Sequence, residues 1–268
     1  MKKSILIFCA SIAILSLTAF GINSMNHHEI ETPPTDSDEL AVTEIETDDS
    51  ADEEAASNIF MAIGSRFGGM TLAEIQEVTT MYDFLSEEDK QRNLNFSYIE
   101  VIEIIDEKES ERRAGGYSTT FNQAQIDMLY NSGYSSNLKV QGNYSIKNPE
   151  TGKMEKEYYS PHITIVPEYE AIYSEGIDGL LDYLRTNSME AVVSSNEDKM
   201  RPAKLYFTIN TEGKISKVSV RNTCGFKHLD DKLEVLMWEA PGTWEPARSA
   251  TGETVEQELV LSYGLAGC

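Results

Sequence analysis

The fold is decided by the stretch Ala203–Arg221, AKLYFTINTEGKISKVSVR, in which two alternating apolar segments flank a polar turn. Leu205, Phe207 and Ile209 share one face of the first segment because side chains alternate along a strand. Gly213 falls within the TEGK turn, where a tight hairpin connection needs a residue that adopts positive φ. The stretch therefore predicts two antiparallel strands joined by a short turn.

A helix and a third strand follow this hairpin. Leu229, Leu233 and Leu236 are spaced to form one apolar stripe along a helix. Val255–Tyr263 then alternates between apolar and polar residues, as a half-buried strand does. We therefore predict an α+β fold with a C-terminal ββαβ domain over residues 177–268.

A second folded region is predicted to precede this domain over residues 58–173. It begins with a capping box at Thr71–Glu74 and contains a two-sided apolar strand at Phe96–Asp106. The Arg112–Gly116 stretch indicates a turn or loop, and Asn148–Gly152 joins two further strands as a hairpin. The region is therefore also predicted to be α+β, and its residues indicate no particular role.

The N-terminal part of the chain has the pattern of an export signal followed by an acidic linker. Two lysines precede the apolar run Ser4–Phe20, which fits a signal peptide or a signal anchor over residues 1–21. Residues 22–57 are predicted to be a disordered linker, because positions 29 to 54 hold twelve carboxylates and no Lys or Arg. Cleavage and retention of the signal both stay open, and both predict export.

The charge and the missing motifs exclude several classes of function. A net charge of −23 argues against nucleic acid and anionic membranes as partners. The exported part lacks the His-Glu-x-x-His and Gly-x-Ser-x-Gly patterns and any Cys/His pairing. We therefore expect no enzyme activity, no catalytic residue, no metal site and no cofactor.

The C-terminal region resembles the C-terminal domain of the TonB family, the periplasmic energy transducers of Gram-negative bacteria. The likeness covers residues 177–268 and depends on the order and spacing of short segments. These segments are Leu181–Leu184, Tyr206–Ile209, Glu212–Ile215, Val218–Val220, Leu229–Asp230, Trp244–Ala247 and Gly252–Val255.

The resemblance implies that the protein binds an extended segment of an outer-membrane TonB-dependent transporter. In that family the segment adds as a strand beside the last strand of the domain, where it satisfies free backbone N–H and C=O groups. The corresponding edge here is Glu256–Tyr263, and an exposed edge would tolerate Pro at Val260 or Ser262. Glu256 and Glu258 would equally suit an edge that is only protected from pairing. The predicted partner-binding residues are Glu256, Gln257, Glu258, Val260, Ser262 and Tyr263.

Three departures from the family leave a second function open. Met189 and Glu190 stand where the family has a Tyr-Pro pair, the Ser4–Phe20 run contains no His, and the linker has few prolines. A non-energised periplasmic scaffold or sensor module therefore stands beside the energy transducer as an alternative. A retained N-terminal anchor would add inner-membrane motor proteins as partners, whereas a cleaved signal would leave a secreted periplasmic protein.

Two cysteines of the exported part are predicted to pair. If the helix crosses over so that the last strand is antiparallel to the first, Cys224 and Cys268 lie at the same end of the sheet. Two strand spacings, roughly 10 Å, separate them, and loop flexibility can close that gap. Because disulfides persist in exported proteins, we predict a Cys224–Cys268 bridge.

Overall fold

The structure, a computed structural model, describes residues 59–92, 94–196 and 199–265. The predicted export signal, the acidic linker and Cys268 lie outside these residues. The described chain is a mixed α+β protein with more strand than helix.

Strands and helices follow one another in an irregular order. The strands are β1 (Phe60–Gly64), β2 (Gly68–Thr71), β3 (Phe96–Ile105), β4 (Lys108–Gly116), β5 (Asn137–Lys147), β6 (Met154–Tyr159), β7 (His162–Val166), β8 (Ile172–Tyr173), β9 (Ala203–Ile209), β10 (Ile215–Asn222), β11 (Trp244–Glu245) and β12 (Gln257–Gly264). The α-helices are α1 (Leu72–Gln76), α2 (Glu87–Gln91), α3 (Gln123–Tyr130), α4 (Gly176–Val193) and α5 (Lys227–Trp238).

Six strands of the middle region form one sheet. Their order is β2-β7-β5-β3-β4, and β6 pairs with the second half of β5. β3 lies between β5 and β4, which confirms the predicted two-sided strand. The predicted turn or loop at Arg112–Gly116 is wrong, because this stretch is the end of β4 and the chain turns at Asp106 and Glu107 instead. Gly115 does not form a turn. It leaves room for the Tyr98 side chain, since a Cβ there would lie 2.0 Å from the Tyr98 hydroxyl.

The C-terminal region forms a four-stranded antiparallel sheet in the order β1-β12-β9-β10. β9, β10, α5 and β12 follow one another as predicted, and Gly213 has the positive φ, 72°, that the β9–β10 turn requires. Helix α4 precedes these elements and packs against α5. The one unexpected member of this sheet is β1, which comes from the start of the predicted middle region.

The buried apolar side chains form two clusters, one with each sheet. Leu129 belongs to the cluster of the six-stranded sheet. Phe207 and Leu233 belong to the cluster between the four-stranded sheet and helices α4 and α5. Ile59 and Met61 also belong to this second cluster, although the rest of the middle region follows them in sequence. The start of the middle region therefore packs into the C-terminal sheet.

Candidate strand-addition site

The last strand, β12, has a neighbour on each side. On one side it pairs with β9, from Gln257 opposite Ile209 to Tyr263 opposite Ala203. On the other side it pairs with β1, which is antiparallel to it and covers Val260–Gly264. The expectation that Glu256–Tyr263 is a free edge is therefore corrected for Val260–Tyr263, which β1 covers. A short strand from a distant part of the chain occupies the position expected for a partner strand.

The predicted edge residues differ in exposure and in contacts. Gln257 and Tyr263 are buried, and Val260 is 3% exposed. The Gln257 amide oxygen accepts a hydrogen bond from the Ala171 N–H at 2.7 Å, and its amide nitrogen donates to Glu170 at 2.6 Å. Gln257 is therefore a structural residue rather than a contact for a partner.

The remaining predicted edge residues lie nearer the surface. Glu256 is exposed and precedes β12, and Ser262 is half-buried opposite Ala62 of β1. Glu258 is half-buried, and its backbone N–H donates to the Ser135 hydroxyl at 2.8 Å. The predicted residues therefore do not form one exposed stripe.

β1 binds to β12 through alternate apolar side chains. Met61 lies opposite Tyr263, and Ile63 lies opposite Leu261, both of which are core residues. Met61 is 5% exposed, whereas its neighbour Phe60 is 45% exposed. The apolar side chains of β1 therefore face the core under α4, and the alternate side chains face away from it.

The connector from β1 to β2 is held by polar contacts and bordered by glycines. Arg66 donates two hydrogen bonds to the Glu107 carboxylate, at 2.7 and 2.6 Å, and its guanidinium lies 4.2 Å from the centre of the Phe67 ring. Gly64 and Gly68 have open space where a Cβ would lie. Packing does not require glycine at these two positions, so their effect is backbone freedom on either side of the anchored Arg66.

Glu107 joins the two sheets from a strained position. Asp106 and Glu107 form the two-residue turn between β3 and β4, with φ values of 47° and 65°. Turns of this kind favour Gly at the second position, where Glu107 stands. The Glu107 carboxylate accepts hydrogen bonds from Arg66 and from the Tyr206 hydroxyl, and Lys204 lies 3.5 Å away. Because Glu107 stands in place of glycine, the turn has a carboxylate that contacts the connector and β9.

The environment of Glu107 favours its charged form. Burial by itself raises the pKa of this carboxyl, but hydrogen bonds from Arg66 and the charges of Arg66 and Lys204 outweigh burial. The pKa of Glu107 therefore lies below its usual value. At neutral pH the carboxylate is ionised and holds these contacts.

A polar cleft of about 270 Å³ lies beside this junction. Arg221 lines it and stacks on the Tyr206 ring, with 3.8 Å between the guanidinium carbon and the ring centre. Arg221 also donates two hydrogen bonds to the Glu258 carboxylate. Arg66 and Arg221 each face a carboxylate already, and the lining also includes Glu103 and Asp106, so the cleft does not suit an anion.

The far end of β12 is tied to α5 by a buried carboxylate. Asp230 accepts hydrogen bonds from the Tyr263 hydroxyl at 2.5 Å, from the Cys224 N–H at 3.1 Å and from the Thr223 hydroxyl. Burial raises the pKa of Asp230, but these hydrogen bonds outweigh burial, so its pKa lies below the usual value.

Cys224 is buried, and that burial, with the neighbouring Asp230, raises the pKa of its thiol to about 12. A thiol with such a pKa stays protonated at neutral pH and is a poor nucleophile. Its proposed partner Cys268 lies outside the described residues, so the Cys224–Cys268 bridge stays a prediction.

Ser194 and Ser195 meet His228 at the end of α4, but the geometry does not suit catalysis. The His228 Nε2 atom lies 3.0 Å from the Ser195 hydroxyl and 3.1 Å from the Ala191 carbonyl oxygen. A carbonyl only accepts hydrogen bonds, so the network assigns a proton to Nε2. A protonated Nε2 cannot take the proton of Ser195, and the contact instead closes the end of the helix.

The described residues contain neither a metal-binding cluster nor a membrane-spanning helix. They contain no group of three or more His, Cys, Asp or Glu side chains placed to hold a metal ion. None of the helices among them has both the length and the hydrophobicity needed to span a bilayer.

Comparison with known proteins gives no further assignment. No protein-family model matches the chain, and no curated protein or solved structure matches it. The inference about function therefore depends on the residues and contacts described above.

The residues missed by sequence reasoning are those of β1. Its alternation of Ile59, Met61 and Ile63 is a strand signal, but it extends over only five or six residues and borders the acidic linker. The signal identifies a strand and does not identify its neighbour, because about 200 residues separate β1 from β12.

Proposed function

We propose that this protein is an exported binding protein that takes up an extended segment of another protein as a strand beside β12. The TonB-like pattern of residues 177–268 favours an outer-membrane TonB-dependent transporter as the partner. Strand addition suits this sheet because backbone hydrogen bonds provide affinity and alternate side-chain pockets provide specificity.

The position of β1 is the observation that carries the proposal. β1 is itself an added strand, since five consecutive residues pair with β12 while the chain that follows it, from β2 onward, enters the six-stranded sheet. Its presence indicates that the flank of β12 accepts an antiparallel segment with alternating apolar residues. A partner strand would take the same place.

Binding in this account is an exchange of strands. Full burial of a Met or Ile side chain stabilises by roughly 1.5–3 kcal/mol, and the buried side chains here are Met61 of β1 and Ile59 just before it. This stabilisation is lost when β1 leaves the sheet, and a partner segment that buries similar side chains replaces it. The glycines that border the connector allow β1 to leave while Arg66 remains bound to Glu107.

Energy transduction is the finer part of the proposal. It requires the N-terminal segment to be retained as an inner-membrane anchor and to contact motor proteins. The alternative is a non-energised periplasmic scaffold or sensor module, secreted or anchored, that binds its partner in the same way. N-terminal sequencing and co-purification separate the two: a retained N-terminus that co-purifies with motor proteins favours the transducer. A chain that begins after residue 21 favours the scaffold, because it cannot transmit force from the inner membrane.

The strand-exchange proposal is tested by locking β1 in place. Ala62 and Ser262 lie directly opposite each other, and the Cα separations of antiparallel pairs, about 4.5 to 5.5 Å, suit a disulfide. The double variant Ala62→Cys with Ser262→Cys is compared with each single variant. A photo-crosslinking residue at Leu265, which is exposed just beyond β12, reports the partner, and one at the exposed Val235 of α5 is the control position.

We expect Leu265 to crosslink to an outer-membrane transporter, identified by mass spectrometry, in the reduced double variant. The oxidised variant should lose this product, and reduction should restore it. An equal yield from the oxidised chain would contradict binding at β12, and a product from Val235 alone would place the partner elsewhere.

A further inference from the structure

β1 can be examined as if it were a bound peptide. Met61 of β1 and Ile59, the residue just before the strand, belong to the buried cluster of the four-stranded sheet, and Ile63 packs against that cluster. These three side chains alternate along the strand, so they enter the core from the same face. The host surface that receives them consists of β12 and helix α4.

The other positions of β1 carry fewer constraints. Phe60 is largely exposed, and a Cβ at Gly64 would meet no atom within 4 Å. A side chain of another size is therefore compatible with either position. The Met61 carbonyl oxygen accepts a hydrogen bond from Arg185 of α4 at 3.5 Å, a contact with the backbone that any residue at this position can make.

We propose that Ile59–Gly64 is a built-in stand-in for the partner and that it displays the sequence pattern that the flank of β12 recognises. The pattern is an extended segment, antiparallel to β12, with apolar side chains at three alternate positions and tolerant positions at Phe60 and Gly64. The inference rests on the proposed function, and it adds the chemistry of the partner segment and its direction.

A built-in strand also sets how strongly a partner competes. A segment tethered by a short connector has an effective concentration in the millimolar range. The effective concentration of an intact β1 is therefore roughly a hundredfold higher than that of a peptide at about 10 μM. Weakening β1 in the full chain should expose the same site to a peptide in solution.

The test uses a fluorescent peptide with the sequence of residues 59–64 and the full-length protein. Two variants weaken β1: Met61→Asp, which places a charge at the buried position, and the milder Ile63→Ser at a half-buried one. Near-UV circular dichroism and the fluorescence of the buried Trp244 check that the C-terminal core stays folded in each. Binding is measured by fluorescence anisotropy.

We expect the peptide to bind both weakened chains at least tenfold more tightly than the unmodified chain. A peptide with Met61→Asp should lose this binding, whereas one with Phe60→Ser should keep its affinity within about twofold, since Phe60 points away from the core. The oxidised Ala62→Cys, Ser262→Cys chain should not bind the peptide.

The inference would be overturned if the 59–64 peptide did not bind the folded Ile63→Ser and Met61→Asp chains. It would also be overturned if the peptide bound the oxidised double variant as tightly as it binds these weakened chains. These results are independent of the Leu265 crosslink. Peptide binding without a transporter crosslink rejects the proposed function alone, and a transporter crosslink without peptide binding rejects this inference alone.

Discussion

The two flanks of the four-stranded sheet differ in regularity. On one flank, the pairing of β10 with β9 shifts between Ile215 and Lys217 and again between Val220 and Asn222. Such irregularities disfavour the addition of a further strand. On the other flank, β1 pairs with five consecutive residues of β12 and shows no shift. The comparison indicates that the sheet is blunted at β10 and competent for strand pairing at β12.

The largest expected effect comes from breaking β12 itself. Ser262 is opposite Ala62 on one side and Lys204 on the other, so Ser262→Pro removes a ladder hydrogen bond inside the sheet. We expect the largest loss in the free energy of unfolding among these variants, measured by urea denaturation, because the proline lacks a ladder donor in a strand that is paired on both sides. Pro tolerance, which the sequence had suggested for a free edge, is not expected in this position.

The control for this prediction is Glu256→Pro, since Glu256 is exposed and precedes the strand. It should unfold at nearly the same urea concentration as the unmodified protein. If Ser262→Pro were as stable as this control, β12 would not be an interior strand.

A second large effect is expected at the end of β12 that α5 holds. Asp230→Ala leaves the Tyr263 hydroxyl and the Cys224 N–H without their acceptor in a buried place. Hydrogen bonds to charged groups contribute about 1.5–3 kcal/mol each, so we expect a loss of about 3 kcal/mol. Asp231→Ala, at an exposed neighbouring carboxylate, should change stability by less than about 0.5 kcal/mol.

The same carboxylate predicts how stability depends on pH. The pKa of Asp230 is lower in the folded state than in the unfolded state, where it is about 3.9. Its contribution is therefore complete above about pH 5 and is lost as the pH falls through the folded-state value. Urea unfolding between pH 7 and pH 3 should show a smaller acid-induced loss for Asp230→Ala than for the unmodified protein, and identical pH dependences would contradict this role.

An intermediate effect separates the two flanks directly. Met61 on β1 and Val218 on β10 are similarly buried, at 5% and 8% exposure. We expect Met61→Ala and Val218→Ala each to cost about 2 kcal/mol. Only Met61→Ala should increase binding of the 59–64 peptide, because only this change weakens the strand that occupies the flank of β12. Equal peptide binding by both variants would show that general destabilisation is enough.

The smallest effect is expected at the junction between the sheets. Glu107→Gln keeps the strained φ of 65° and weakens the contacts with Arg66 and Lys204, so it should cost about 1 kcal/mol. Glu107→Ala and Glu107→Gly lose the same contacts, and only Glu107→Gly relieves the turn, because Gly adopts positive φ without a steric penalty. The stability of Glu107→Gly should therefore lie above that of Glu107→Ala, and the reverse order in thermal unfolding would contradict the account of the turn.

Local sequence patterns predicted much of this fold, but they did not predict which distant segments pair with each other. The β9–β10 hairpin, the leucine stripe of α5 and the alternation of β12 are contained in short windows and are present in the structure. The strand β4 was missed because Gly115 and Gly116 indicate a turn, whereas close approach of Tyr98 explains the first of them. β1 was missed because its neighbour is set by packing across the whole chain.

The sequence predicted which strand forms the candidate site, but it did not predict whether the second side of that strand is free or paired. The alternation of Leu259, Leu261 and Tyr263 located the correct strand and its buried face. Nothing in those residues indicates whether the far side of the strand is free or paired, since backbone groups of any sequence can form the ladder.

The central claim is that β1 leaves β12 while the rest of the sheet stays folded, and native-state hydrogen exchange of the full chain tests it most directly. We predict that the amides of Phe60–Gly64 exchange through a local opening with a free energy clearly below that of the β9 amides, which should exchange only on global unfolding. The Ala62→Cys, Ser262→Cys disulfide should abolish the local opening. If the β1 and β9 amides exchanged with the same free energy in the unlocked protein, β1 would be a fixed strand and strand exchange at β12 would be contradicted.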